Sequence, residues 1–351
     1  YPKNTVAHYY GEKKEDGDIV VGIINSLLMS PMQNKNGEVS PQTFFRKFGY
    51  VILDEVHEYC ANTRKNIYSL ASATYMLGLS ATPDERSDGL DQVTVWNCGE
   101  VLVAKDLIGY TEDDIPFKGE VTMVKYTGHP DFTKLITNKA LDIVSFSEMV
   151  SQICNDYYRT HLIVKLVYEL RKSNKNIFIF ADRRTYLEQI REELDRFKII
   201  NEIWCDDVAK SNIKSMRLVG GAKAEEIKFA EDNSNVILTT YQFMGTGKSI
   251  PKMDSIILTT PRKRKSKQFI GRIFRLGSNY SITRKIIDIV DWSCCFKSQW
   301  YARKKYYDSQ EYKINTRPIN YTDLEEEMFE MGILQNEAED TDIIDKSLTE
   351  L

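Results

Sequence analysis

The chain has 351 residues, of which 42% are hydrophobic and 28% charged, so it is too long for one ordinary core and too apolar for a disordered protein. No stretch approaches the roughly 20 apolar residues of a membrane span and the start does not resemble a signal peptide, so we expect a soluble, intracellular protein without membrane contact. The net charge of −4 conceals an asymmetry, because residues 322–351 contain eleven acidic residues and one lysine while the remainder is mildly basic, which is compatible with a nucleic-acid partner.

Short apolar runs along the chain predict buried strands, and they alternate with segments in which apolar residues return every three or four positions. Strand–helix alternation of this kind is typical of parallel sheets covered by helices on both faces, so the predicted fold class is α/β. The predicted strands are 19–24, 50–53, 75–79, 176–180, 235–238, 255–258 and 285–290, and the clearest helical patterns are 63–72, 158–171 and 185–197.

The alternation predicts two domains and a tail. Between residues 91 and 151 the sequence is mixed and contains several glycines and prolines without a clear helical pattern, so we place the domain junction near residue 140. The predicted domains are therefore 1–140 and 141–320, followed by an acidic tail at 321–351 that we expect to be mobile. Within this tail, Leu324, Met328 and Met331 could line one face of a short docking helix.

The first chemical signal is the apolar run 50–53 followed by Asp54, Glu55, Val56 and His57. Ligands of parallel sheets bind at the carboxyl ends of strands, where an aspartate can hold Mg²⁺ and a glutamate can orient an attacking water. The two acids could equally cap a helix that follows the strand.

Two further segments carry small hydroxyl residues and paired arginines. Ser80 and Thr82 follow the predicted strand 75–79, a pattern that also suits an ordinary turn. Downstream, Arg272 and Arg275 are three residues apart and should project from one helix face, where they could contact a triphosphate or remain solvated on a surface helix.

In this order, these segments resemble the motor core of superfamily 2 helicases, with a DEVH motif II at 54–57, an SATP motif III at 80–83 and a QxxGRxxR motif VI at 268–275. Residues 18–28 resemble motif Ib, residues 177–181 motif IV, and residues 236–251 motif V. The overall resemblance extends to about residue 312. Within it, residues 286–291, 296–299 and 303–307 look like the end of the poxvirus transcript-release helicase and its relatives in other large DNA viruses, which are in turn similar to a DNA-repair helicase of the transcription machinery.

The resemblance implies two RecA-like domains, the first incomplete, and an ATP-dependent motor that uses Mg²⁺. It implies DNA as the partner, with RNA as the alternative, contacts mainly to the phosphate backbone, and a role in viral transcription termination or DNA repair beside transcription or repair proteins. The implied catalytic roles are Mg²⁺ binding for Asp54, water activation for Glu55, and nucleotide contact for Arg272 and Arg275, which Gln268 would help to place. The implied coupling residues are His57, Ser80, Thr82 and Gly247, and the implied contacts to the nucleic-acid backbone are Asn25, Ser26, Thr239 and Thr240.

Two departures from the family pattern limit what can be transferred. Ser249 stands where motif V usually has an acidic residue. The run 245–249 reads GTGKS but is not a phosphate-binding loop, because Gln242 stands where that pattern requires glycine. We therefore expect the chain to start partway into the first motor domain and to hydrolyse ATP poorly alone.

Two other interpretations stay open at this point. A motor without its phosphate-binding loop could serve as a module that binds nucleic acid or protein without turnover. The same core also occurs in the motor subunits of restriction and remodelling enzymes.

Overall fold

The computed structural model describes residues 6–29, 31–61, 63–80, 88–103, 118–138, 143–204, 213–244, 250–262, 266–274 and 281–334. The chain divides into two compact units, Tyr1–Asp114 and Ile115–Leu351. The boundary therefore lies about 25 residues before the predicted junction near 140. Each unit is treated by itself below.

The first unit contains short strands and helices around a small aromatic core. Strands β1 (Val6–Tyr10), β2 (Lys13–Lys14) and β3 (Ile19–Gly22) form one sheet in which β1 and β3 are parallel. The other strands are β4 (Met32–Asn34) and β5 (Gly37–Val39), which form an antiparallel pair, and β6 (Tyr50–Leu53) and β7 (Tyr75–Gly78), which are parallel. The helices are α1 (Ile24–Leu27), α2 (Pro41–Phe45), α3 (Asn66–Leu70) and α4 (Gln92–Cys98), with a 3₁₀ helix at Val56–Cys60.

The β6–β7 pair has one covered face and one apolar face that the described residues of the first unit leave open. Leu53 is buried against the small core of this unit. On the other face, Tyr50 and Ile52 are 53% and 56% exposed, and their register partners Tyr75 and Leu77 are 66% and 39% exposed. Parallel strands are ordinarily covered on both faces, so the open face is unusual for this kind of sheet.

The second unit is built on a seven-stranded sheet in which every neighbouring pair is parallel. The strand order is β12-β13-β11-β14-β15-β8-β16. A separate antiparallel pair joins β9 (Thr137–Asn138) and β10 (Ile143–Val144). The seven strands are β8 (Gly119–Thr127), β11 (Ile177–Ala181), β12 (Ser215–Leu218), β13 (Val236–Thr240), β14 (Ser255–Leu258), β15 (Arg284–Asp291) and β16 (Lys313–Asn320).

Helices cover both faces of this sheet, because its central strands are apolar on both sides. The strands β11, β13 and β14 are buried at every position. One face packs against α5 (Phe146–Cys154), α6 (Tyr157–Lys172), α7 (Arg184–Trp204) and α12 (Tyr321–Glu330). The other face packs against α8 (Ala224–Asn233), α9 (Tyr241–Met244), α10 (Ser266–Ile270) and α11 (Lys297–Ser309). The predicted α/β class with a parallel, helix-covered sheet is confirmed.

Two sequence-based expectations differ from the structure. The segment 91–151 contains α4, β8 and α5, and β8 lies inside the sheet between β15 and β16. Its alternation was obscured because Glu120 and Lys125 interrupt the apolar residues.

The predicted mobile tail also begins too early, because residues 321–330 form α12 against α6. Leu324 and Met328 are 2% and 3% exposed, so the suggested docking face is confirmed at these two positions. Residues 335–351 lie outside the described residues. None of the helices in the described parts of the chain has the length and apolar character needed to cross a bilayer.

Candidate nucleotide and nucleic-acid sites

Asp54 and Glu55 form a tight acidic turn at the carboxyl end of β6. The backbone of Glu55 is left-handed, with φ of 51°, a conformation that costs a non-glycine residue roughly 1–3 kcal/mol. Its N–H donates to Asp54 Oδ1 at 3.0 Å. Glu55 occupies the position before the 3₁₀ helix without making a side-chain capping bond, so capping does not explain it. The turn leaves Asp54 exposed and the Glu55 side chain 40% exposed.

The acidic turn is joined to the segment that follows β7. His57 Nδ1 lies 2.9 Å from Ser80 Oγ and 3.4 Å from Glu55 Oε2. The backbone closes the same junction, since the Val56 N–H donates to the Leu79 carbonyl at 2.8 Å. The acidic turn and the segment that follows β7 are therefore in direct contact through both side chains and backbone. Thr82, the remaining residue predicted to participate here, lies outside the described residues.

The acidic turn suits Mg²⁺ that arrives with a nucleotide better than a site built from protein ligands alone. Among the described residues, no group of three histidine, cysteine, aspartate or glutamate side chains could hold a metal ion. Mg²⁺ in nucleotide sites typically uses one or two carboxylates together with phosphate oxygens and water. The exposed Asp54 carboxylate fits that requirement.

In the second unit, the predicted arginine helix is shorter than expected. α10 ends at Ile270 and continues as a single 3₁₀ turn, Gly271–Ile273, after which Phe274 leaves helical geometry. Gly271 stands at this change, and glycine is a weak helix former. The expectation that Arg272 and Arg275 project from one helix face stays a prediction, because it depends on the positions of both arginines. Arg272 is 3% exposed and Gln268 is half-buried, and Arg275 lies outside the described residues.

A cavity of about 400 Å³ opens at the carboxyl ends of β11, β12 and β13. Thr240 lines it, and the Thr240 hydroxyl also accepts the Phe243 N–H at 3.3 Å. Thr239 is fully buried, and among the described residues its hydroxyl has no hydrogen-bond partner. Of the two predicted backbone-contacting threonines, only Thr240 therefore reaches the cavity. Gly247 lies outside the described residues.

The same cavity contains cationic and glycine residues that the sequence analysis did not select. Arg184 is exposed, and its Nη2 donates to the Gly220 carbonyl at 3.2 Å. Beside them, Arg262 forms an ion pair with Asp182 at 2.8 Å, and burial raises the pKa of the Asp182 carboxyl although Arg262 opposes the shift. The run Asp182-Arg183-Arg184 directly after a buried strand was a signal that could have identified this cavity.

The remaining predicted residues lie in the first unit. Asn25 and Ser26 belong to the short helix α1, where Asn25 is exposed and Ser26 is half-buried. Both follow β3 and are accessible to a partner from solvent. The structure brings together His57, Ser80 and the acidic turn, and it places Thr240 in a cavity of the second unit.

Comparison with known proteins shows which families and proteins the chain resembles in sequence. The family model for "Type III restriction enzyme, res subunit" matches residues 2–85. The "Putative ATP-dependent RNA helicase QP509L" of African swine fever virus (isolate Tick/Malawi/Lil 20-1/1983) is 32% identical over 310 residues, which are 85% of this chain and 56% of that protein. The "Putative ATP-dependent RNA helicase L396" of Acanthamoeba polyphaga mimivirus is 29% identical over 301 residues, or 84% of this chain and 52% of that protein. The chain thus spans about half the length of the curated relatives it matches.

Solved structures support the fold. A fragment structure described as "a putative HsdR subunit of a type I restriction enzyme from Vibrio vulnificus YJ016" aligns with a TM-score of 0.59 at 18% identity, covering 91% of this chain and 55% of that one. The structure "S. cerevisiae Dbp5 bound to RNA and ADP BeF3" aligns with a TM-score of 0.51 at 14% identity, covering 94% of this chain and 74% of that one. At these identities the likeness concerns the RecA-like fold alone. In sequence, the chain resembles viral proteins that are named as putative ATP-dependent helicases, and this similarity extends over more than four fifths of its length.

Proposed function

We propose that this chain belongs to an ATP-dependent motor that couples ATP hydrolysis to movement along nucleic acid. The observation that carries the proposal is the acidic turn after β6 and its direct contact with the segment after β7. Asp54 would bind Mg²⁺ with the phosphates, and Glu55 would orient and deprotonate the attacking water. In the second unit, Arg272 and Arg275 would offset negative charge on the nucleotide, with Gln268 helping to position them.

Coupling is the proposed role of the His57–Ser80 contact, together with Thr82 and Gly247. Because His57 Nδ1 lies near both Glu55 and Ser80, rearrangement of the acidic turn during hydrolysis would alter the segment that follows β7. Such a link converts a local chemical event into movement of a neighbouring segment.

Nucleic acid is the proposed partner, bound mainly through its phosphates. Hydroxyl, amide and guanidinium groups are donors of the kind that contact phosphate oxygens. Such donors are supplied by Thr240 and Arg184 in the cavity at the carboxyl ends of β11, β12 and β13, and by Asn25 and Ser26 in the first unit. Binding through phosphates is strongly salt-dependent and only weakly sequence-selective. We propose DNA as the substrate, in viral transcription termination or DNA repair beside proteins of those processes. Because two of the relatives above carry RNA in their names, RNA is the alternative to be compared directly.

The 351 residues contain no GxxxxGK[ST] pattern, and this affects the rate of ATP hydrolysis that we expect from them. Without the backbone cradle and lysine of that loop, β- and γ-phosphates have few ligands. We propose that residues 1–351 alone hydrolyse ATP slowly while still binding nucleic acid.

The test is Mg²⁺-dependent ATP hydrolysis with and without single-stranded DNA or RNA, on this chain and on any longer form encoded by the same gene. Glu55→Gln should lower stimulated turnover by about 10²–10⁴-fold, the usual contribution of general base catalysis. Glu58→Gln is the matched control, since Glu58 lies in the 3₁₀ helix that follows Glu55 and pairs with Arg64. If both variants lose the same amount of stimulated turnover, Glu55 does not have the proposed role. If neither variant loses turnover, the acidic turn does not take part in hydrolysis.

Two alternatives are separated by the same assay. The missing phosphate-binding pattern favours a module that binds nucleic acid without turnover, which predicts binding and no hydrolysis in any form. The match to the restriction-enzyme family model favours the motor subunit of a restriction or remodelling enzyme, which predicts stimulation by double-stranded DNA.

A further inference from the structure

Two lysines flank one tryptophan at the carboxyl edge of the large sheet. Trp292 follows β15 directly. The Lys125 Nζ of β8 lies 4.5 Å from the centre of its ring, and the Lys297 Nζ, from the first residue of α11, lies 4.8 Å away. Trp292 and Lys125 are half-buried and Lys297 is exposed. We refer to these three residues as the Trp292 cluster.

The position of Lys125 is unusual for a charged residue. β8 lies inside the sheet, between β15 and β16, and the neighbours of Lys125 in sequence, Val124 and Tyr126, are 0% and 1% exposed. Interior strands of parallel sheets are ordinarily apolar, and half-buried charges are ordinarily paired. Within the described parts of the chain, neither Lys125 nor Lys297 has a carboxylate within ion-pair distance.

The acidic residue next to Trp292 in sequence, Asp291, is paired with an arginine outside the cluster. Asp291 accepts two hydrogen bonds from the guanidinium of Arg159, at 2.6 and 3.1 Å. The Trp292 cluster therefore carries two positive charges without an internal counter-charge. The indole face attracts each ammonium through a cation–π contact, which engages the charge and leaves its N–H donors available to an anion.

A chain of contacts connects the cluster to the cavity at β11–β13. Arg183, next to the cavity residue Arg184, donates to the Ser147 carbonyl at 2.8 Å. The adjacent Phe146 packs edge-on against Phe296 at 5.1 Å between ring centres, and Phe296 precedes Lys297. Both sites lie on the carboxyl edge of one sheet. β11 and β8 are three strand positions apart, or about 14 Å at the usual spacing.

We propose that the Trp292 cluster binds phosphates of a single-stranded nucleic acid that also crosses the β11–β13 cavity. This inference rests on the proposed function, because it assigns a second contact to the same partner. Phosphodiester oxygens supply the missing counter-charge, and lysine ammonium groups bind them as point charges with little dependence on base sequence.

The test measures binding of fluorescein-labelled single-stranded DNA and RNA by anisotropy over a range of salt concentrations. The double variant Lys125→Met/Lys297→Met keeps the apolar stems and removes both charges. Since each phosphate contact contributes about 0.7 to the salt slope of a single strand, the slope should fall by about 1.4 and affinity near 0.1 M salt by about 20-fold. Lys172→Met is the matched control, because Lys172 is an exposed lysine at the last residue of α6 and lies outside the Trp292 cluster.

Three outcomes decide the inference. The inference is supported if the salt slope falls in the double methionine variant, is retained in Lys125→Arg/Lys297→Arg and is unchanged in Lys172→Met. A parent chain that binds while the double variant keeps the parent slope overturns the inference and leaves the proposed function standing. A parent chain that binds neither DNA nor RNA overturns both. Circular dichroism of each variant establishes that a lost slope does not come from unfolding.

Discussion

The buried ion pair between Arg159 and Asp291 gives the sharpest test of what holds the carboxyl edge together. Arg159 is fully buried at the start of α6. Its guanidinium donates twice to Asp291 and once to the Tyr186 hydroxyl, at 3.0 Å. The side chain of Asp291 is 4% exposed. Removing one partner of such a pair leaves an uncompensated buried charge, which typically costs about 3–5 kcal/mol.

We therefore expect Arg159→Met to lower the free energy of unfolding by about 3–5 kcal/mol. Arg159→Met/Asp291→Leu removes both charges and should recover a large part of that loss, because apolar replacement of a buried pair is often nearly neutral. The measurement is urea denaturation of all three proteins, followed by far-UV circular dichroism.

The matched control is an exposed pair of similar geometry. Arg317 also donates twice to one carboxylate, that of Glu169, at 2.6 and 3.0 Å, but both side chains are about 40% exposed. Arg317→Met should cost less than about 1 kcal/mol. The reasoning is refuted if Arg159→Met costs no more than this control, or if the double variant is as unstable as Arg159→Met alone.

Three further predictions concern packing and reactivity. Gly119→Ala should destabilise the second unit by about 1–3 kcal/mol, measured by thermal denaturation, because a Cβ there would lie 2.5 Å from the Tyr312 ring; an unchanged melting temperature would show that the ring moves freely. Ellman's reagent at mildly alkaline pH should label Cys295 before Cys154, since Cys295 is exposed whereas burial raises the pKa of the Cys154 thiol to about 12; equal labelling rates in the folded protein would contradict this order. Met328→Ala should cost about 2–5 kcal/mol and increase proteolysis of α12, because Met328 is 3% exposed; wild-type resistance to protease would show that α12 does not depend on this contact.

The sequence was sufficient to predict strands that consist almost entirely of apolar residues. β11, β13 and β14 are continuous apolar runs, and such runs bounded by polar residues have few alternatives to a buried parallel strand. β8 was not predicted because a lysine within a short apolar run suggests a loop. The indole that Lys125 contacts, that of Trp292, is far away in sequence. Tertiary contacts of this kind have no local signature.

The acidic turn was predictable in position and unpredictable in detail. A strand followed by two acids indicates a ligand-binding edge, but nothing in the local sequence indicates the left-handed backbone of Glu55. The contact between His57 and Ser80 joins residues that are 23 positions apart in sequence. Helical periodicity places Arg272 on a continuous helix, and it cannot foresee that α10 ends at Ile270 and is followed by a single 3₁₀ turn. The burial of Thr239 depends on the helices packed over both faces of β13.

The apolar face of β6 and β7 that the described residues of the first unit leave open has a consequence for any form of the chain in which it stays uncovered. Its tyrosine, isoleucine and leucine side chains form a flat strip, and contiguous apolar surface of this kind adsorbs amphiphilic dyes and promotes association between molecules. Kosmotropic salts strengthen that tendency, whereas they weaken phosphate-dependent binding of nucleic acid. Ammonium sulfate should therefore drive the free chain towards precipitation under the same conditions that strip it of bound nucleic acid, so the two events will coincide during purification although they arise from different surfaces.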